Sequence, residues 1–254
     1  VDGQHSEKKI LGLIPTRLNS RRLPGKALLL INNLPMIVHV YKRAKLSKLL
    51  DDVIVCCDDK KTVQLTKNFN VKSMLTSKKN KNGTERINEG LKKIKKKYDL
   101  VVDIQGDEPL INPKHIDEVI KYHLKNFNAD IVVPSLKIKS QNNTNIVKVV
   151  TNKNNDVLYF SRSNIPYSFK SSSQHIKKHL SIISFKPDAL KKFSSSPQTI
   201  LEKIEDIELL RALEIGLKIK SPVFFGDSFS VDVFKDYKKA IKKINKDKFL
   251  KFYK

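Results

Sequence analysis

Residues 15–26 read Pro15-Thr16-Arg17-Leu18-Asn19-Ser20-Arg21-Arg22-Leu23-Pro24-Gly25-Lys26, and the reading of this stretch decides the fold. It follows directly on Ile10-Leu11-Gly12-Leu13-Ile14, an apolar run of strand length bounded by a proline. Such a run is the mark of a buried parallel strand. A loop leaving the carboxyl end of such a strand is where open α/β sheets bind ligands. Arg17, Arg21, Arg22 and Lys26 gather four cations beside Gly25, which lets backbone approach a ligand closely. Guanidinium forks and an ammonium around backbone N–H groups suit a triphosphate better than a neutral ligand. The spacing is neither that of a P-loop nor GxGxxG, which excludes a Walker or dinucleotide site. The residues alone also fit a solvated basic loop, so the rest of the chain has to decide.

Outward from this loop, residues 27–31 are a short apolar run, Asn32-Asn33 a turn, and Pro35 the first residue of a helix carrying Met36, Ile37, Val40, Tyr41 and Ala44. Residues 53–57 and 71–75 read as further strands. Thr84 is expected to cap a helix over 85–97 with Ile87, Leu91 and Ile94 as its apolar stripe. Residues 100–104 make a fourth strand, and Asn112-Pro113 opens a helix whose inner face is Ile116, Val119, Ile120 and Leu124. Alternating strand and helix predicts a mostly parallel α/β sheet with covered faces. From Ala129 the character changes. Residues 131–133, 146–150 and 157–160 read as consecutive antiparallel strands, and the serine runs 171–173 and 194–196 as mobile loops. A helix is expected over 200–216, a strand over 224–231 and a lysine-rich helix from about Asp236.

The formal charge of +24 raises nucleic acid. However, the 50 basic residues include just seven arginines, and the lysines run the length of the chain. No helix-turn-helix, zinc-finger or RNP pattern accompanies them, so no specific nucleic-acid partner is expected. No apolar stretch approaches the ~18 residues of a membrane span, and no secretory segment stands near the start. The adjacent Cys56 and Cys57 point to opposite faces of a strand and read as small core residues of a reducing, cytoplasmic protein. Residues 1–8 are read as a disordered lead-in.

The second constellation is Gln105-Gly106-Asp107-Glu108-Pro109, again at the carboxyl end of a strand and so expected near the basic loop. Gly106 permits a close approach, and Asp107 offers a hard oxygen for Mg2+ beside phosphate. Asp232, in Ser230-Val231-Asp232, offers another. Two carboxylates and several cations are the minimum for metal-assisted phosphoryl or nucleotidyl transfer. Either aspartate by itself would more often be a turn residue or a cap.

Taken in order, the stretch from Ile14 to Lys26, then Asn82-Gly83-Thr84-Glu85-Arg86, Gln105 to Pro109, Tyr159-Phe160-Ser161-Arg162 and Val231-Asp232 resemble the 3-deoxy-manno-octulosonate (KDO) cytidylyltransferases, over nearly the whole chain from about Lys9 to Lys243. The resemblance implies a Rossmann-like, GT-A-type sheet with a smaller antiparallel lobe. It further implies a homodimer, and Mg2+-dependent transfer of CMP from CTP to a 2-keto sugar acid. In domain terms it implies one nucleotidyltransferase domain over 9–254, with 129–199 as a lobe for dimerisation and sugar binding. On that resemblance Arg17, Arg22 and Lys26 would hold the CTP phosphates, with Arg17 and Lys26 catalytic. Gly83, Thr84 and Gln105 would lie around the nucleotide. Asp107 and Asp232 would be catalytic and ligate Mg2+, and Arg162, His179 and Glu205 would face the sugar acid. Ile183 and Leu209 stand where the family pattern has a tyrosine and a glutamine near the sugar. Arg21 and Val233 each replace a threonine. The first two departures open the acceptor to 8-amino-KDO or another keto-sugar acid. A binding protein with a decayed site is the reading from another class.

Overall fold

The computed structural model describes residues 8–20, 22–170 and 175–254. The expectations for residues 1–7, Arg21 and the serine run 171–173 lie outside those residues. The chain divides into two compact units, residues 1–117 with 229–254, and residues 118–228.

The first unit is built on β1 (Ile10–Thr16), whose residues are buried throughout. β2 (Leu30–Ile31) and β3 (Leu34–Pro35) form a hairpin whose turn residues Asn32 and Asn33 both take positive φ, 49° and 65°. Asparagine tolerates this conformation, and the paired left-handed turn matches strand twist. α1 (Met36–Ala44) therefore starts one residue later than expected, with Pro35 in the cap position. β4 (Asp52–Cys57) is followed by α2 (Lys60–Lys67), which the sequence reading did not foresee. Its apolar stripe is thin, but the Asp59 carboxylate accepts from the backbone N–H groups of Lys61 and Thr62. β5 (Ser73–Leu75) leads to α3 (Gly83–Lys93). Here the expected cap is corrected. Asn82, whose side chain accepts from the Glu85 N–H at 2.8 Å, starts the helix, while Thr84 is buried inside its first turn. The helix also stops at Lys93, because Ile94 is extended.

β6 (Leu100–Ile104) completes the unit's sheet in the order β6-β1-β4-β5, every pair parallel. Leu11, Leu13, Ile14, Val55, Val101 and Val102 are wholly buried in it, the near-continuous apolar strands that covered faces require. The carboxyl ends of β1, β4 and β6 consequently stand side by side. α4 (Pro113–Lys125) then carries the chain from one unit to the other.

In the second unit β7 (Ile131–Val132), β8 (Ser135–Lys139), β9 (Lys148–Thr151), β10 (Val157–Ser161), β11 (His175–His179) and β12 (Ile182–Phe185) pair antiparallel wherever they meet, as the sequence implied. α5 (Pro187–Ser195) contains Ser194 and Ser195, so that serine run ends a helix instead of forming a loop. The Ser195 and Ser196 hydroxyls donate back to the Lys192 carbonyl. The helix expected over 200–216 is two, α6 (Ile200–Glu205) and α7 (Glu208–Glu214), parted by Asp206 at φ 52°. β13 (Ile219–Lys220) and β14 (Val223–Phe224) add to β7 and β8 in parallel. The strand expected to continue to Val231 stops at Phe224, because Gly226 at φ 129° and the polar residues after it leave the ladder. Phe160, Phe185, Leu190, Phe193 and Leu210 form this unit's core. α8 (Phe234–Ile244) returns to the first unit, burying Ala240 and Ile244 against Ile31, Met36 and Val231.

Candidate active site

The basic loop is folded back on itself. The Leu18 carbonyl accepts the Gly25 N–H at 3.0 Å, and Gly25 sits at φ 66°, a left-handed turn that glycine takes without strain. This fold returns Lys26 towards the sheet. Its ammonium donates to Asp107 Oδ2 at 2.7 Å, to the Val231 carbonyl at 3.0 Å and to Asp232 Oδ1 at 3.4 Å. Arg22 also donates to Asp232 Oδ1, at 2.8 Å. Four residues read separately from the sequence thus form one charge cluster, brought together from three segments of the chain. Arg17 is exposed on the same loop and makes none of these bonds.

Two contacts explain how the cluster is held. The Gly106 backbone presses on the end of β1, so closely that a Cβ there would lie 2.7 Å from the Pro15 carbonyl oxygen. No side chain fits that gap. Gly83 packs on the same proline, where a Cβ would meet its ring at 3.3 Å, which sets the first turn of α3 against the end of β1. Asp232 is no strand residue. It precedes α8, and its N–H and that of Val233 point at the Asp236 carboxylate, each at 3.3 Å. Gln105 is half-buried and donates to Asp103 at 3.0 Å, so its amide is oriented by the strand before it.

One residue was missed. Asp58, at the end of β4, accepts the Leu18 N–H at 3.0 Å and lies 3.7 Å from the buried guanidinium of Arg86, which also donates to Thr76. It ties the basic loop to the Asn82–Arg86 segment. The available signal was its place at the end of a strand beside the basic loop's strand, where a carboxylate has loop amides to hold.

In the second unit Arg162 and Glu205 are brought together, each side chain bonded to the other's backbone. The Glu205 carboxylate accepts from the Ser161 hydroxyl at 2.7 Å and from the Arg162 N–H at 2.9 Å. The Arg162 guanidinium donates to the carbonyls of Glu205, Asp206 and Thr144 at 2.7–3.0 Å. These bonds satisfy carbonyls that the end of α6 leaves open, and they account for the helix break at Asp206. Beneath them Lys148, almost wholly buried, donates to the carbonyls of Asn143 and Arg162. Burial, and then the neighbouring Arg162, lower its pKa. His179 ends β11 edge-on to Phe160 and donates to the Leu180 carbonyl, and burial lowers its pKa to about 4. The imidazole is therefore neutral at physiological pH. Ile183 and Leu209 are both buried.

Two carboxylates converging on a cation are a fitting donor set for Mg2+, which takes one or two protein carboxylates and completes its shell with phosphate and water. Among the described residues no group of three or more His, Cys, Asp or Glu side chains gathers to make a closed metal cage.

A parallel sheet with a basic loop at the end of β1, facing one aspartate from the end of β6 and another from the segment before α8, has the build of a nucleotidyltransferase. A thymidylyltransferase-type structure from Bacillus anthracis shares this fold at TM-score 0.65 and 14% identity, covering 92% of this chain. The chain belongs to the cytidylyltransferase family, whose model matches residues 11–219. It is 41% identical over 248 residues to the 3-deoxy-manno-octulosonate cytidylyltransferase of Thermodesulfovibrio yellowstonii, covering 92% of this chain and 97% of that one. It is 37% identical over 241 residues to the 8-amino-3,8-dideoxy-manno-octulosonate cytidylyltransferase of Shewanella baltica, covering 92% and 98%. The structure of CMP:2-keto-3-deoxy-manno-octonic acid synthetase in complex with CTP matches at TM-score 0.88 with 31% identity, covering 94% and 99%.

Proposed function

We propose that this enzyme transfers CMP from CTP to KDO or a KDO-like 2-keto sugar acid, releasing pyrophosphate and supplying an activated sugar for lipopolysaccharide. The observation that carries this reading is the convergence of Lys26, Arg22, Asp107 and Asp232 in one cluster, in a chain 41% identical to a KDO cytidylyltransferase along its length. Arg17, Arg22 and Lys26 bind and orient the triphosphate. Gly83, Thr84 and Gln105 stand about the nucleotide. Asp107 and Asp232 hold Mg2+, which supplies charge stabilisation at the phosphates when bound. No covalent nucleophile is needed, because the sugar's anomeric hydroxyl attacks the α-phosphorus as pyrophosphate leaves. The protein contributes positioning and charge stabilisation.

Arg162, His179 and Glu205 serve the sugar acid, with the Arg162–Glu205 bonds fixing the surface on which it rests. The 37% identity to an 8-amino-KDO enzyme supports a second acceptor, the 8-amino analogue. The dimer of the resemblance is favoured by apolar side chains left on the second unit's surface, Leu158 at 61%, Ile200 at 72% and Ile204 at 74% exposed. A monomeric mass by light scattering at micromolar protein would contradict it. Among the described residues no helix is long and apolar enough to cross a membrane, and a cytoplasmic place suits the two buried free thiols. The function is tested by pyrophosphate release from CTP and Mg2+ with KDO and with 8-amino-KDO. Release above the acceptor-free background with either supports the proposal, and background rates with both would refute it.

A further inference from the structure

An ammonium has three N–H donors, and all three of Lys26's have protein acceptors, the Asp107 and Asp232 carboxylates and the Val231 carbonyl. The side chain is well covered, at 16% exposure, whereas Arg22, bonded to Asp232, is 59% exposed. The formal charges of Lys26, Arg22, Asp107 and Asp232 cancel. A divalent cation entering this cluster alone would therefore meet carboxylates already neutralised by the Lys26 ammonium, in contact with both, and the Arg22 guanidinium on Asp232. Conversely, Lys26 cannot donate to a phosphate without giving up one of its present acceptors.

We propose that Lys26 is a placeholder for the divalent cation: without nucleotide its ammonium occupies the Asp107–Asp232 pair, and the triphosphate draws it off and opens the pair to the metal. This rests on the reading of the two aspartates as the metal site. The order of events follows from charge. The phosphates bring the negative charge that the displaced ammonium follows, and the carboxylates left behind are then short of a cation. Nucleotide and metal must consequently raise each other's affinity by the same factor. Metal without nucleotide is held weakly, so the enzyme does not carry a cation locked in an idle site.

The test reads metal binding without turnover, using Mn2+ as the probe and the free-ion paramagnetic resonance signal as the readout. Wild type, Lys26→Met, Lys26→Gln and Lys26→Met with Asp232→Asn are titrated without nucleotide, and wild type again with CTP, read against the same CTP without protein because CTP itself binds Mn2+. Circular dichroism and melting establish that each variant is folded, and Lys26→Gln stands in if Lys26→Met is not. Both Lys26 variants should bind Mn2+ at least about tenfold more tightly than nucleotide-free wild type. Asp232→Asn should abolish that gain, and CTP should raise wild-type affinity. If nucleotide-free wild type binds Mn2+ as tightly as the Lys26 variants, the placeholder is overturned while the carboxylate site stands. If Asp232→Asn leaves Mn2+ binding unchanged, or wild type fails to bind even with CTP, the metal-site reading itself falls.

Discussion

The backbone N–H of Val231 donates to the carbonyl of Asp107 at 2.9 Å, and this bond sets the two candidate metal carboxylates beside each other from distant parts of the chain. Val231 is fully buried against Ile31, Met36, Ala240 and Ile244, so α8 and the hairpin hold the Asp232 segment in place. Geometry at the pair is thus set by backbone and core. The aspartate side chains are left to their charged neighbours, and substitutions at their tips should change chemistry more than folding.

Asp107→Asn or Asp232→Asn should each lower turnover by at least ~10²-fold, the scale of losing a key electrostatic group. The melting temperature should stay near that of wild type, since the replacements are almost isosteric. Near-normal turnover in either variant would remove that residue from the metal site.

Gly106→Ala should destabilise the first unit by about 1–3 kcal/mol, the usual range for overpacking a filled site. The new methyl would meet the Pro15 carbonyl oxygen, a backbone atom with nowhere to go, at 2.7 Å. Gly25→Ala differs, because nothing lies within 4 Å of a Cβ there and just the left-handed φ of 66° resists it. Its cost should be about 1–2 kcal/mol and should fall mainly on CTP affinity, through the loop. Urea unfolding and the KM for CTP separate the two. Equal stability of Gly106→Ala and wild type would show that β1 yields.

Glu205→Ala removes the acceptor of the Ser161 hydroxyl and the Arg162 N–H. It should cost about 1–3 kcal/mol of stability, the penalty for unmade hydrogen bonds, as well as raising the KM for the sugar acid. Glu205→Gln should recover most of the stability. A stable Glu205→Ala with a raised KM would instead mark Glu205 as a direct sugar contact that supports nothing else.

Acid should weaken the fold through its buried histidines, His39 in the first unit and His123 in the second. His123 is fully buried, its ring bonded to the Ser184 hydroxyl and the Ala129 carbonyl, and burial lowers its pKa to about 4. Because the folded value lies below the unfolded 6.5, the stabilisation is fully present above pH 6.5 and is lost as pH falls towards 4. His179 acts in the same direction. The urea midpoint should be level near neutrality and decline below about pH 6.5, the ordinary histidine value. His123→Gln should flatten part of that decline, and an unchanged slope would assign the acid sensitivity elsewhere.

Much of this was legible in the residues. Leu100–Ile104 is a strand with the bounds its apolar run gives, and Asn32-Asn33 is a turn because asparagine tolerates positive φ. The basic loop and Gln105–Pro109 could be placed together, since both leave the carboxyl ends of parallel strands. What was hidden depended on tertiary partners. α2 has a polar sequence and is announced chiefly by the Asp59 cap. The break at Asp206 carries no glycine or proline, and follows from the Arg162 guanidinium taking the carbonyls of Glu205 and Asp206. That Lys26 bridges both aspartates could not be read either, because it needs the Val231–Asp107 bond to bring Asp232 within reach.

The most direct test of cytidylyl transfer follows the α-phosphorus of CTP. With CTP labelled at that atom, Mg2+ and KDO or its 8-amino analogue, the label should move into a CMP–sugar product, with pyrophosphate formed in equal amount. Label that stays in CTP with both acceptors, or appears as free CMP from the outset, would contradict the account.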